Sequence, residues 1–220
     1  MKALIFWGGW DGHTPEQTSK LLEQGLKARG SDVEVANSQD CLADLEKLKG
    51  LDLIVPQWTM GTIADAHWAN LSRAVREFGV GFAGCHGGTG DAFRSNLDYN
   101  WMVGGHFVGH PYVGEYPVHL TCQDPITAGL PASFPYNSEQ YYMMTDPGIR
   151  VLATTPYDYD GQVTTMPVIW TKQWGRGRVF YSALGHSHEE FAKYPDVLEM
   201  TIRGFEWAAA GKPKCCCRCG

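Results

Sequence analysis

The chain shows two regimes of hydrophobic patterning. In its first half, short continuous apolar runs occupy residues 2–9 (KALIFWGG), 51–58 (LDLIVPQW) and 80–84 (VGFAG). Runs of this length predict strands buried on both faces. Between them, apolar residues recur three and four apart, which predicts amphipathic helices. The first helix is read in TPEQTSKLLEQGLKARG, with Leu21, Leu22 and Leu26 on its apolar side. Thr14 suits its N-cap, Pro15 its first turn and Gln17 a capping box, and Gly30 stops it. DVEVANS (32–38) reads as a further strand, CLADLEKLKG (41–50) as a short helix and ADAHWANLSRAVREFG (64–79) as a longer one. The resulting β-α-β-α-β-α-β order predicts a parallel sheet with helices on both faces.

The second half alternates instead. GEYPVHLTC (114–122) reads as a strand, and MPVIWTKQWGRGRVFYSAL (166–184) as two strands joined at Gly175-Arg176-Gly177. DPITAGLP (124–131) is turn-rich, and PDVLEMTIRGFEWAAAG (195–211) reads as a closing helix. No repeat or linker divides the chain. The expectation is a single α/β domain over residues 1–211 with an antiparallel extension. The remaining residues, 212–220, form a cysteine-rich tail (KPKCCCRCG) expected to be disordered. Its one Cys-x-x-Cys pair, Cys216 and Cys219, falls short of the two pairs usual in a structural zinc site.

Composition narrows the function. With 220 residues and 44% hydrophobic residues, the chain is long enough for a full core. A formal net charge of -6 with both signs intermixed argues against a nucleic-acid partner. No apolar run approaches the ~20 residues of a membrane span, and MKALIFWGG lacks the cleavage pattern of a signal peptide. Cys41, Cys85 and Cys122 are scattered, as in a reducing compartment. These features predict a cytoplasmic protein.

The chemistry gathers at GFAGCHGGTGDAF, residues 81–93. A sharp strand-to-helix turn needs small residues two before and two after its apex. Gly84 and Gly88 satisfy this with His86 at the apex; Ala83 and Gly87 satisfy it with Cys85 there. The first register offers an acid, base or metal ligand. The second offers a thiolate nucleophile. The glycines around His86 also suggest that its side chain finds little to pack against. The segment from Gly8 to Gly12 lacks both the P-loop lysine and the dinucleotide-binding spacing, so those cofactors are not expected.

GVGFAGCHGGTGDAF…WMVGGHFVGHP, DPITAGLP, SEQYY and MPVIWTKQWGRGRVFYSALGH together resemble the ThuA-like (trehalose utilisation) family, from about residue 3 to residue 210. The resemblance implies a flavodoxin-like three-layer α/β fold of the class I glutamine amidotransferase type. It implies a glycine-flanked histidine where those enzymes carry their nucleophilic cysteine, and so favours His86. It also implies carbohydrate metabolism, with a sugar or keto-sugar as the substrate of a hydrolase, isomerase or lyase rather than a glutaminase. The alternatives are a non-catalytic sugar-binding or regulatory protein and a metal-dependent hydrolase of another small substrate.

Other residues fall in loops at strand ends. His13 and His186 join His86 as catalytic candidates. Trp10, Asp11, Trp58, Trp101, His106, Glu139 and Tyr141 are candidates for substrate binding, because aromatic faces with polar edges suit sugar rings. Trp7 shares that aromatic character, but core packing is the simpler role for at least about half of Trp7, Trp10, Trp58 and Trp101. His106 and His110 lie four apart, as on one helical face, but Gly104, Gly105, Gly109 and Pro111 argue for a loop. His86 with two of His13, His106, His110 and His186 would hold a divalent metal such as zinc, with His13, His86, His106 and His110 as the leading set; no other cofactor is expected. His188 and Glu190 have the spacing of the amidotransferase His–Glu pair, although the resemblance centres on His186. The expected partners are a small sugar and further copies of the chain.

Overall fold

The computed structural model describes residues 1–212; the tail cysteines lie outside the described residues. The parallel half comprises β1 (Lys2–Gly9), α1 (Pro15–Lys27), β2 (Asp32–Ala36), α2 (Leu45–Lys49), β3 (Leu53–Thr59), α3 (Asp65–Arg76) and β4 (Gly81–Cys85). Two short helices follow, α4 (His86–Gly90) and α5 (Leu97–Val103). Then come β5 (Gly105–Leu120), β6 (Ser133–Thr145), β7 (Arg150–Tyr159), β8 (Gln162–Trp174) and β9 (Gly177–Ser182), and the helices α6 (His188–Lys193) and α7 (Pro195–Ala209).

All nine strands share one sheet, ordered β2-β1-β3-β4-β9-β8-β7-β5-β6. Strands β2, β1, β3, β4 and β9 are parallel; the pairs from β9 to β6 are antiparallel. The chain steps from β1 outward to β2, then back across β1 to β3 and on to β4. Right-handed crossovers in opposite directions put α1 on one face and α2 and α3 on the other. Accordingly α1 touches α6 and α7, while α3 touches α2 and α5. The strand order reverses between β1 and β3, and ligands of open α/β sheets bind outside the carboxyl ends of the strands at such a point.

The core agrees with the apolar runs. Leu4, Ile5 and Phe6 of β1, Leu53, Ile54 and Val55 of β3, and Phe82 and Ala83 of β4 are buried, as are Leu22 and Leu26 of α1. Several local expectations are corrected. Thr14 adopts a left-handed conformation with no side-chain cap bond to α1; its hydroxyl instead meets Thr18 Oγ1 at 3.2 Å and His188 Nδ1 at 3.1 Å. Residues 41–50 split into a 3₁₀ turn and α2, because Asp44 caps the second piece through the amides of Glu46 and Lys47. The glycine-rich segment 104–111, expected as a loop, is largely the start of β5. Its pairing with β6 is irregular from Phe107 to Tyr112, and bulges accommodate the glycine and proline there. The extension is larger than expected, since β6 and β7 were not read as strands from the sequence.

Candidate functional site

His13, His86 and His186 follow the carboxyl ends of three parallel strands, β1, β4 and β9. Glu139 arrives from the other half of the sheet, on β6. One ligand atom from each of these four residues lies within 4.8 Å of every other, the one such group among the described residues.

His86 stands at the apex of the turn with a φ of 44°. A side chain on either glycine flank would collide. A Cβ on Gly84 would stand 1.7 Å from Thr89 Oγ1, and one on Gly88 2.5 Å from Gln57 Oε1. The sequence therefore builds the strained turn with His86, not Cys85, at its tip. His86 is buried and stacks on Tyr141, with ring centroids 4.0 Å apart, contrary to the expectation that it finds little to pack against. Its Nδ1 lies 2.8 Å from the carbonyl oxygen of Ala183. A carbonyl only accepts, so Nδ1 carries the proton and donates. Nε2 then faces Glu139 Oε2 at 3.2 Å and His186 Nδ1 at 3.2 Å.

The other members are held in similar ways. His13 is buried, with Nδ1 2.8 Å from Thr59 Oγ1 and Nε2 3.9 Å from Glu139 Oε2. His186 Nδ1 lies 3.4 Å from the same oxygen. The loop carrying His186 is clamped by Glu190, whose Oε1 accepts from the amides of Gly185 at 3.2 Å and His186 at 3.1 Å, and from the Tyr136 hydroxyl. His110 Nε2 approaches the other oxygen, Glu139 Oε1, at 3.6 Å.

The charges are coupled. Burial alone would raise the Glu139 carboxyl, but the facing imidazoles of His13, His186 and His86 outweigh it and hold the group well below the usual carboxylate range. Burial lowers His13 despite its contact with Glu139. The Glu139 hydrogen bond raises His186 against its burial.

The remaining candidates separate. Trp10 is half exposed at the rim, its ring edge-on to His13 at 4.9 Å. Asp11 is exposed beside it. Trp58 is half-buried and packs between Phe6 and Phe93 at the margin of the core. Tyr141 is buried and backs the His86 ring instead of lining an open surface. Trp101 and His106 line a different hollow with Leu97, Met144 and Asp146. His106 is therefore not in the ligand group; His186, also a candidate, is in it together with Glu139, and His110 stands beside it at Glu139 Oε1. His188 turns to Thr14. Thr59, Ala183 and the Tyr136–Glu190 clamp were missed. Only Glu190 carried a sequence clue, its spacing from His188.

Cys85 is fully buried, and burial pushes its thiol up to about 12. Its sulfur accepts from Gln57 Nε2 at 3.4 Å. A thiolate nucleophile is disfavoured there. Cys85→Ala is expected to cost about 1–2 kcal/mol and to leave turnover intact. Thermal unfolding checks the first part. Ammonia release from glutamine, abolished by this substitution, would show instead that the thiol acts.

A mixed sheet with helices on both faces, and a strained turn after a central parallel strand, define the class I glutamine amidotransferase-like α/β fold. Solved structures with this architecture agree. A ThuA-like protein from Bacteroides uniformis is 20% identical with a TM-score of 0.76, over 94% of this chain and 91% of that one. A cytoplasmic protein from Salmonella typhimurium LT2 is 15% identical with a TM-score of 0.63, over 96% and 98%. The glutaminase domain of Trypanosoma brucei CTPS is 14% identical with a TM-score of 0.57, over 97% and 96%. At these identities the likeness is one of fold. The ThuA family model, described as trehalose utilisation, matches residues 2–208, and the chain belongs to that family. No curated protein matches the chain. Among the described residues no helix is long and apolar enough to cross a membrane.

Proposed function

We propose that the chain is an enzyme of carbohydrate utilisation that binds a sugar or keto-sugar at the mouth of the histidine cluster and moves a proton on it, with His86 as the central acid or base. The observation that carries this reading is the convergence on His86 Nε2. The Ala183 carbonyl fixes the ring's tautomer, while Glu139 and His186 stand within 3.2 Å of its other nitrogen. Such a chain of contacts can accept a proton and pass it on. A keto group acidifies the neighbouring C–H, so one positioned imidazole suffices to start an isomerisation or elimination. Trp10 offers an exposed aromatic face beside His13 for the sugar ring. The family's description supports the carbohydrate class.

The test is a panel of trehalose-type disaccharides and their keto derivatives, with products separated by chromatography for the native protein and His86→Ala. Turnover by the native protein that the variant loses is the expected result. Binding without turnover would make the chain a sugar-binding protein. Absence of both binding and turnover would overturn the reading.

A further inference from the structure

We propose that His13 Nε2, His86 Nε2, His186 Nδ1 and Glu139 Oε2 form the coordination site of one first-row divalent transition-metal ion of the zinc type. The inference rests on the reading of this cluster as the reacting centre and adds an ion to it.

The first argument is metric. A tetrahedral ion with bonds of about 2.0–2.2 Å holds its donors about 3.3–3.6 Å apart. Three of the donor separations are 3.2 Å (His86 to Glu139), 3.2 Å (His86 to His186) and 3.4 Å (His186 to Glu139). His13 stands further out, 3.9 Å from Glu139, and no pair in the set exceeds 4.8 Å. The three donors of His86, His186 and Glu139 are thus spaced close to the edge lengths of a coordination tetrahedron, with His13 a short shift away.

The second argument counts protons. His86 Nδ1 donates to Ala183, so the neutral ring presents a lone pair at Nε2. That lone pair faces a carboxylate oxygen 3.2 Å away. Two acceptors at this distance need a cation between them or a second proton on the ring. A metal ion meets the demand of all three imidazoles and the carboxylate at once.

The third argument concerns what stands behind the ligands. Metal-bound histidines usually give their other nitrogen to a carbonyl, carboxylate or hydroxyl, which fixes the ring. His86 has the Ala183 carbonyl and His13 has the Thr59 hydroxyl. His186 is fixed through its backbone, by the Glu190 carboxylate. The donors come from four separate elements, and His13 and His86 are 6% and 1% exposed, so the geometry is preformed. A set of three imidazoles and a carboxylate suits zinc, cobalt, nickel, manganese or iron. It does not suit magnesium or calcium, which favour oxygen donors, or copper(I), which favours thiolates and thioethers. When bound, such an ion supplies Lewis acidity toward a carbonyl or hydroxyl oxygen.

The experiment uses the full chain, stripped with a chelator and titrated with zinc by calorimetry and with cobalt by visible absorption. The expected result is one equivalent of zinc bound, a cobalt spectrum of low-coordinate nitrogen and oxygen ligation, and a melting temperature that rises with free zinc. Glu139→Gln, close in shape, and His86→Ala are each expected to lose the cobalt spectrum. Thr59→Val is expected to weaken zinc about 10-fold, as loss of a supporting hydrogen bond does. His119→Ala, on the exposed side of β5, should bind as the native protein does. Absence of stoichiometric binding by the native protein overturns the proposal, and so does unchanged binding by Glu139→Gln in a folded variant. If no ion binds but His86→Ala still abolishes turnover, the proton-transfer reading stands and the metal falls. If the ion binds and no sugar is bound or turned over, the metal stands and the carbohydrate reading falls.

Discussion

His86→Ala is expected to slow turnover of a keto-sugar at least about 100-fold and to lower stability by about 2–3 kcal/mol. The rate effect follows from its place at the tip of the turn, with Nε2 between Glu139 and His186. The stability effect has two sources. The ring is 1% exposed and packed on Tyr141, so its removal leaves a cavity. The Ala183 carbonyl also loses its side-chain donor in a buried place. Alanine does not relieve the turn, because the φ of 44° disfavours any side chain. Turnover and thermal unfolding of the same preparation decide the matter. A variant that keeps its rate would show that His86 only packs. A variant that unfolds outright would have to be replaced by His86→Gln, for which the same loss of rate is expected.

The parallel half was legible because its physics is local. Continuous apolar runs at β1, β3 and β4 and the stripe of Leu22 and Leu26 on α1 report burial directly. The turn was legible too, because Gly84 and Gly88 answer a steric demand within five residues of chain. The antiparallel half was harder. In β6, Tyr136, Ser138 and Gln140 are buried and alternate with more exposed residues, so a serine and a glutamine lie inside and break the apolar pattern. Gln140 is accepted there because its amide donates to Thr155 Oγ1 and the Pro156 carbonyl, partners that only the folded sheet supplies. The same difficulty hid the makeup of the cluster. His106 and His110 are close to each other in sequence, whereas Glu139 and His186 meet His86 from 53 and 100 residues away. Spacing in sequence therefore grouped His106 with His110, whereas the structure puts His106 in a different hollow and His110 beside Glu139. The packing of His86 was hidden for the same reason, since its neighbours His13, Tyr141 and His186 are all remote in the chain.

Gly84→Ala tests the turn itself. The added methyl would stand 1.7 Å from Thr89 Oγ1, 2.8 Å from its Cβ and 3.1 Å from its Cγ2. Thr89 has no room to withdraw. It is buried, its hydroxyl donates to the Pro56 carbonyl at 3.0 Å, and its own carbonyl accepts from the Tyr99 hydroxyl at 3.1 Å. The conflict must be relieved by moving α4 away from β4, which also displaces His86. A loss of about 3 kcal/mol is expected, or roughly 10 °C in melting temperature for a domain of this size. Turnover should fall with it, although no group of the cluster has been changed. Thr89→Ala alone should cost only about 1 kcal/mol, the value of its hydrogen bond. Combined with Gly84→Ala it should restore part of the loss, because the oxygen is gone while the Cβ contact remains. The two substitutions should therefore be non-additive, and a double-mutant cycle on melting curves measures by how much. If Gly84→Ala melts with the native protein, the flanks of the apex do not need to be small, and the steric case for His86 over Cys85 fails. If it is destabilised but the pair is strictly additive, the strain lies in the backbone rather than against Thr89.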